Sequence, residues 1–292
     1  MSSVEPEIDF EIDPEDLPER AAAPAELGPP SVVVNDLHVT YRVIGARRRA
    51  APLAKQSAMR RLLAKGRQHA GAVTEVKAVR GVSFVAHHGE SIGIIGTNGS
   101  GKSTLLQAVA GLLPATSGDV YLSGTPSLLG VNAALIKKVS GERNILIGGL
   151  ALGLSRKEIE SRFDEIVDFA GIGDFVELPM NTYSSGMAAR LRFAISTAAV
   201  PDVLMIDEAL ATGDAAFRKR SKARIEEIRH DAGTVFFVSH SLASVRAMCT
   251  RAIWLDKGII RADGPVDEIA DRYAEYVAEL HSEGKDDRDT AQ

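Results

Sequence analysis

The chain has 292 residues, 45% hydrophobic and 25% charged, with a formal net charge of -5 at pH 7 and a single cysteine. That length holds one large α/β domain or a main domain with a smaller insert, and the acidic balance gives no general support for nucleic-acid binding. The lone Cys249 excludes an internal disulfide, no charged start followed by an apolar run marks a secretion signal, and uncharged windows such as Val120–Ile136 are interrupted by Gly, Pro, Ser and Asn and fall short of a spanning helix.

Eight acids fall within residues 1–20, with prolines at 6, 14 and 18, so a disordered acidic tail is expected as far as Pro30. Ser31–Val34 and Leu37–Tyr41 read as strand material interrupted by Asn35-Asp36. Residues 42–67 then carry nine Arg or Lys and no acid. There Met59, Leu62 and Leu63, flanked by Arg60, Arg61 and Lys65, fit a short amphipathic helix against anionic headgroups or a pyrophosphate; a solvated linker, irregular at Ala50-Ala51-Pro52, is the other reading. Val79–Val85 is a further strand with His87–Glu90 as its turn, and the two histidines are expected to be turn residues, since no ligand partner sits at metal spacing.

Ser91–Ile95 reads as a buried strand, and a helix follows from Leu105. Thr116–Asp119 is predicted as a turn and Val120–Leu122 as a short strand. Composition from 137 to 200 is helical: Ser155 and Glu158 have capping-box spacing, and Ile159, Phe163, Ile166, Val167 and Phe169 follow at helical intervals. A helix is predicted over Ala188–Ala199, strands over Val203–Ile206 and Thr234–Val238, and helices over Phe217–Arg229 and Val266–Leu280, with residues 281–292 polar and frayed. Apolar runs without clean alternation, separated by helices, predict a largely parallel, covered sheet.

Between that buried strand and helix lies Gly96-Thr97-Asn98-Gly99-Ser100-Gly101-Lys102-Ser103-Thr104. Glycines at this spacing let the backbone curl so that successive N–H groups converge on phosphate oxygens, and the opening helix adds a field favourable to negative charge. Lys102 is suited to the outer phosphates and the Ser103 hydroxyl to Mg2+. A nucleoside triphosphate is the expected ligand.

Asp207 and Glu208 end the Val203 strand, where open parallel sheets place ligands. Asp207 suits Mg2+ or its water shell, and Glu208 can polarise a water aimed at a γ-phosphate; alone, the pair would also serve as a helix cap. His240 ends the next strand as a donor to the terminal phosphate or as a satisfied structural histidine.

With these residues in place, the segment Thr182-Tyr183-Ser184-Ser185-Gly186-Met187 resembles the signature motif of ATP-binding-cassette (ABC) transporter ATPases. The resemblance covers residues 31–280 and implies a P-loop core with a β-rich N-terminal part and a helical subdomain. It divides the chain into a tail at 1–30, an ATPase domain at 31–262 with a basic insertion at 42–72 and a helical subdomain at 137–198, and a C-terminal helix and polar tail at 263–292. It further implies a head-to-tail dimer with ATP and Mg2+ in the interface, in which Ser184, Ser185 and Gly186 contact the nucleotide of the opposite copy, Asp214 lies in the loop joining the two sites, and Tyr41 stacks on adenine. The spelling Tyr-Ser-Ser-Gly-Met, together with Gly141–Asn144, Gly153–Lys157 and Arg251–Leu255, is similar to the subfamily that exports lipid-linked polysaccharides and teichoic acids, which implies a multi-span permease partner and a lipid-linked glycan cargo.

This sequence departs from the family in two places. No glutamine occurs between Gln107 and Gln292, so the region Ser127–Ala133 offers only Asn132 as a side-chain amide where the family places a glutamine that contacts magnesium and senses the membrane partner. The basic insertion lengthens the connection after Tyr41. Twelve residues follow Leu280, too few for the carbohydrate-binding domain some members carry, which would leave substrate selection to the permease or the insertion. An importer motor, a soluble ATPase of the same architecture and a nucleotide-dependent scaffold are the competing readings.

Overall fold

The computed structural model describes residues 27–44, 73–129, 135–207, 215–239 and 241–289. The acidic tail to residue 26, most of the basic insertion, and Asn132, Glu208, Asp214 and His240 lie outside the described residues.

Strand β1 (Pro30–Ile44) is flanked by β2 (Val73–His87) and β4 (Ser117–Leu122) in a three-stranded antiparallel sheet. Two strands were predicted over β1, but one runs through. Asp36 takes φ 45° and the β1–β2 register slips between Val34 and Leu37, so a bulge absorbs Asn35-Asp36 without ending the pairing. Asn35 lies opposite Asp119, which draws part of the predicted 116–119 turn into β4. The fold also begins before the predicted end of the tail: the Gly28 N–H donates to the His88 carbonyl at 3.3 Å.

A six-stranded sheet holds β5 (Pro126–Leu128), β6 (Val203–Asp207), β7 (Thr234–Val238), β3 (Ser91–Ile95), β8 (Arg251–Asp256) and β9 (Ile259–Pro265) in that order, parallel except for β8–β9. Its central strands β3, β6 and β7 are almost wholly apolar because both of their faces are covered. Val203, Met205, Phe236, Val238, Ile92 and Ile94 pack towards α1 (Lys102–Val109) and the small sheet, through Leu105, Leu106, Leu37 and Val82. Their neighbours Leu204, Ile206, Val235 and Phe237 pack the other way against Ile228 of α5 (Ala215–Asp231), Val245 of α6 (Leu242–Met248) and Ile269 of α7 (Val266–Asp289).

A separate core, with Ile145, Ile159, Ile166, Leu191 and Ile195 at its centre, joins α2 (Gly141–Ala151), α3 (Arg156–Ala170) and α4 (Ser185–Ser196). The capping box at Ser155 and Glu158 forms as its spacing predicts. Phe169 and Phe193 of this layer meet Phe217 of α5, with the Arg220 guanidinium 5.6 Å from the Phe169 ring centre.

Several helix ends differ from expectation: α1 starts at Lys102 rather than Leu105, α4 ends at Ser196 rather than Ala199, and α5 spans Ala215–Asp231 rather than Phe217–Arg229. Helix α4 starts at Ser185 rather than Ala188, because the Ser184 hydroxyl accepts the Met187 N–H and caps the helix within the predicted loop. Helix α7 runs to Asp289 rather than fraying after Leu280. Its last turns are polar but built mostly from residues compatible with a helix, and the one glycine costs about 1 kcal/mol, which does not stop it.

Candidate functional site

The chain leaves β3 at Ile95 and turns into α1 through a loop pressed between two strands. A Cβ on Gly96 would overlap the Leu255 carbonyl oxygen of β8, and one on Gly101 would overlap the Ala78 carbonyl oxygen of β2. Gly101 is also the N-cap of α1, at φ 105°, in the left-handed region where side chains are strained. Gly99, between them, faces nothing within 4 Å, so the loop's open side lets a phosphate approach the backbone. Lys102 is only 7% exposed, and its ammonium group donates to the carbonyls of Gly96 at 2.7 Å and Thr97 at 3.1 Å, lying over the loop it would serve.

A support behind this loop escaped the sequence reading. The Gly258 N–H donates to the Ser100 carbonyl at 2.8 Å, while the Gly258 carbonyl accepts from Arg80 N–H at 2.8 Å. Gly258 and Lys257 both have positive φ, the conformation of a tight hairpin between β8 and β9. The available signal was Asp256-Lys257-Gly258 between two strand-like runs.

Tyr41, 38% exposed on β1, brings its hydroxyl within 3.3 Å of the Thr104 hydroxyl on α1. Ser103 beside it is exposed. Asp207 is half-buried at the end of β6, in register with Val238, which is in register with Ile94. Two strand spacings, about 10 Å, therefore separate the Asp207 backbone from the strand that feeds the loop, a gap suited to a metal ion and phosphate oxygens. The described part of the site thus brings Lys102, Ser103, Thr104, Tyr41 and Asp207 to one end of the fold.

An ABC transporter family profile matches residues 79–211. The O-antigen export system ATP-binding protein RfbB of Myxococcus xanthus is 40% identical over 215 residues, 73% of this chain and 49% of RfbB. The teichoic acids export ATP-binding protein TagH of Staphylococcus haemolyticus is 37% identical over 211 residues, 72% of this chain and 80% of that TagH. The chain belongs to the ATP-binding subunits of ABC transporters. Within that family it falls in the polysaccharide and teichoic acid export branch, and it spans about half the length of RfbB. Among solved structures, an ATP-binding subunit of an ABC transporter superposes with TM-score 0.61 at 20% identity, covering 87% of this chain and 98% of that one. A dimeric ATP-binding cassette bound to ADP and Pi gives TM-score 0.57 at 20% identity, covering 80% and 98%. Both show the same fold.

In this ABC subunit the signature segment opens α4. Ser184 and Ser185 are exposed and Gly186 half-buried, so the first N–H groups of the helix and the two hydroxyls stand at the surface. Among the described residues, no hydrogen bond joins them to the loop at 96–104 of the same chain; Ser184 bonds only within its own helix. Behind the segment, the Tyr183 hydroxyl donates to the Phe175 carbonyl at 2.6 Å, and burial pushes its phenol above the ordinary value, keeping it a neutral donor.

Of the other motifs that carried the resemblance, Arg251–Leu255 is structural. Arg251 grips Asp263 with two bonds of 2.7 Å and reaches Glu90 at 3.1 Å, while Ala252–Leu255 are buried in β8. Bonding to Asp263 drives its guanidinium further up from the ordinary value, against the opposing effect of burial.

The donors present suit Mg2+, which takes hard oxygen ligands and retains waters and phosphate oxygens rather than requiring an all-protein cage. Among the described residues no group of three or more His, Cys, Asp or Glu forms such a cage. Among the described residues, the Ser103 hydroxyl and the Asp207 carboxylate offer oxygens of this kind.

Proposed function

We propose that this chain is the ATP-hydrolysing motor subunit of a membrane exporter of lipid-linked polysaccharide, of the O-antigen, teichoic acid or cell-wall galactan type. One observation carries the ATPase reading: a glycine-walled loop with Lys102 lying over it, aligned across β7 with the half-buried Asp207. The branch in which RfbB and TagH fall supports the export reading.

The residues divide the work. Backbone N–H groups of Gly96–Gly101 and the Lys102 ammonium hold the phosphates, Thr104 joins them at the start of α1, and Tyr41 carries the adenine. Ser103 and Asp207 hold Mg2+, which when bound neutralises charge developing on the transferred phosphoryl group. Glu208 orients and polarises the attacking water, and His240 donates to the terminal phosphate. Because the surface presented by Ser184, Ser185 and Gly186 does not bond to its own loop, it is assigned to the nucleotide of a second copy placed head to tail, with Asp214 linking the two sites. ATP then favours the closed pair by its differential affinity, and hydrolysis releases it.

Among the described residues no helix is long and apolar enough to cross a membrane. The similarity to RfbB and TagH supports a lipid-linked cargo passed through a multi-span permease to which this chain binds from the cytoplasmic side. No nucleic acid is required. A Glu208→Gln chain should bind ATP with Mg2+ and accumulate as a dimer, with turnover in the permease complex falling about a hundredfold or more. Wild-type turnover in that variant would remove Glu208 from the catalytic role, and persistent turnover in Lys102→Ala would overturn the site.

A further inference from the structure

Ser184 inherits its position from Tyr183, the residue immediately before it. The Tyr183 hydroxyl donates to Phe175 O at 2.6 Å, and its ring meets Phe175 edge to face at 6.5 Å between centres. On the side facing α2, a Cβ at Gly141 would overlap the same hydroxyl oxygen. Glycine at 141 and tyrosine at 183 are therefore two halves of one contact.

The surface on which Tyr183 rests is itself fixed. Asn144, 1% exposed, accepts the Ile136 N–H at 2.7 Å and donates to the carbonyls of Ile136, Val139 and Ser140, closing the 136–140 segment around its amide. That segment bonds to the chain leading into the signature: Met180 N–H to Val139 O at 3.0 Å, Asn181 N–H to Lys137 O at 2.8 Å, and a bridge between Ser140 and Pro179. Upstream, Leu128 in β5 is in register with Met205 of β6, the strand that ends in Asp207.

We propose that Tyr183 is a positioning residue for the second-copy site: its hydroxyl, seated on Phe175 O in the space left by Gly141, sets where Ser184 and the N-terminus of α4 present themselves to the partner's nucleotide. The proposal rests on the reading that α4 completes that site. An apolar residue at 183 would fill the space, but it would leave the Phe175 carbonyl without this donor and the signature free to shift against the 136–141 segment.

The test uses full-length Glu208→Gln protein, with ATP-driven dimerisation followed by sedimentation and single-chain binding followed with a fluorescent ATP analogue. Tyr183→Phe should raise the dimer dissociation constant about tenfold, the scale of one lost hydrogen bond at each of two sites, while single-chain binding changes by less than about twofold. Gly141→Ala should act in the same direction by displacing the hydroxyl. Combined with Tyr183→Phe it should cost less than the sum, the remaining close approach being to the Val176 carbonyl at 3.0 Å. In a Ser184→Ala background, Tyr183→Phe should add little. Unchanged dimerisation in Tyr183→Phe, additive effects with Ser184→Ala, or a parallel loss of single-chain binding would each overturn the assignment. If the Glu208→Gln parent stays monomeric with ATP, the two-copy reading itself falls and the role of Tyr183 with it.

Discussion

Cys249 is 1% exposed, in the apolar layer between the sheet and α6, and burial pushes its thiol up to about 12. The unfolded thiol ionises near 8.5. A folded value above the unfolded one means that the native chain holds its proton longer, so the stabilisation is complete below about pH 8.5 and is lost as pH climbs from there through about 12. Between pH 8.5 and 10 that loss is about 2 kcal/mol. Denaturant unfolding should show wild-type stability falling by that much more than that of Cys249→Ala, and a thiol reagent should label the native chain negligibly but label it fully in denaturant. That Cys249 has no partner for an internal disulfide was legible in the sequence, which holds one cysteine. The role of Tyr183 could not be read that way, since its contacts at Gly141 and Phe175 come from segments brought together by packing.

At the level of elements, the loop between β3 and α1 is held by what surrounds it. Gly101→Ala requires a left-handed φ of 105° and meets the Ala78 carbonyl, so neither rotation of the loop nor a small shift relieves it. Nucleotide binding should fall by at least about a hundredfold, with 1–3 kcal/mol of strain added, as read by equilibrium titration and melting. Gly99→Ala carries only the φ penalty, with no atom within 4 Å, and should be milder in the absence of nucleotide. The loop, its strand and its helix were legible because glycine spacing, an apolar run and a Lys-Ser pair are local signals. The hairpin turn at Lys257-Gly258 was not, because β9 alternates half-buried and exposed positions with charges on its open face and lacks a strong apolar run. The capping box at Ser155 was legible for the opposite reason: donor and acceptor sit three residues apart on one chain segment.

Across the whole molecule, Arg251 ties the beginning of the central sheet to its edge. It contacts Glu90 at the start of β3, Asp263 on β9 and the Val85 carbonyl of β2 at 2.8 Å. The Glu90 side chain is 7% exposed, and Arg251→Met would leave its carboxylate with the His87 N–H alone. Breaking a pair this buried should cost about 3 kcal/mol, and adding Glu90→Gln should recover part of it by removing the stranded charge. Denaturation midpoints of the single and double variants check both. Arg251 thus contributes to this chain through stability rather than chemistry, which a sequence motif alone could not have separated.

The sequence by itself determined the phosphate loop, the carboxylate at the end of the Val203 strand, the parallel covered sheet and the branch of the family, since each is written in residue types at short spacing. Only the tertiary structure decided that Asp207 lines up across β7 with the strand feeding the loop, that Gly258 props Ser100 from behind, and that Tyr183 and Gly141 share one contact. These are relations between segments far apart in the chain. Register and packing set them, and no local pattern of residues encodes either.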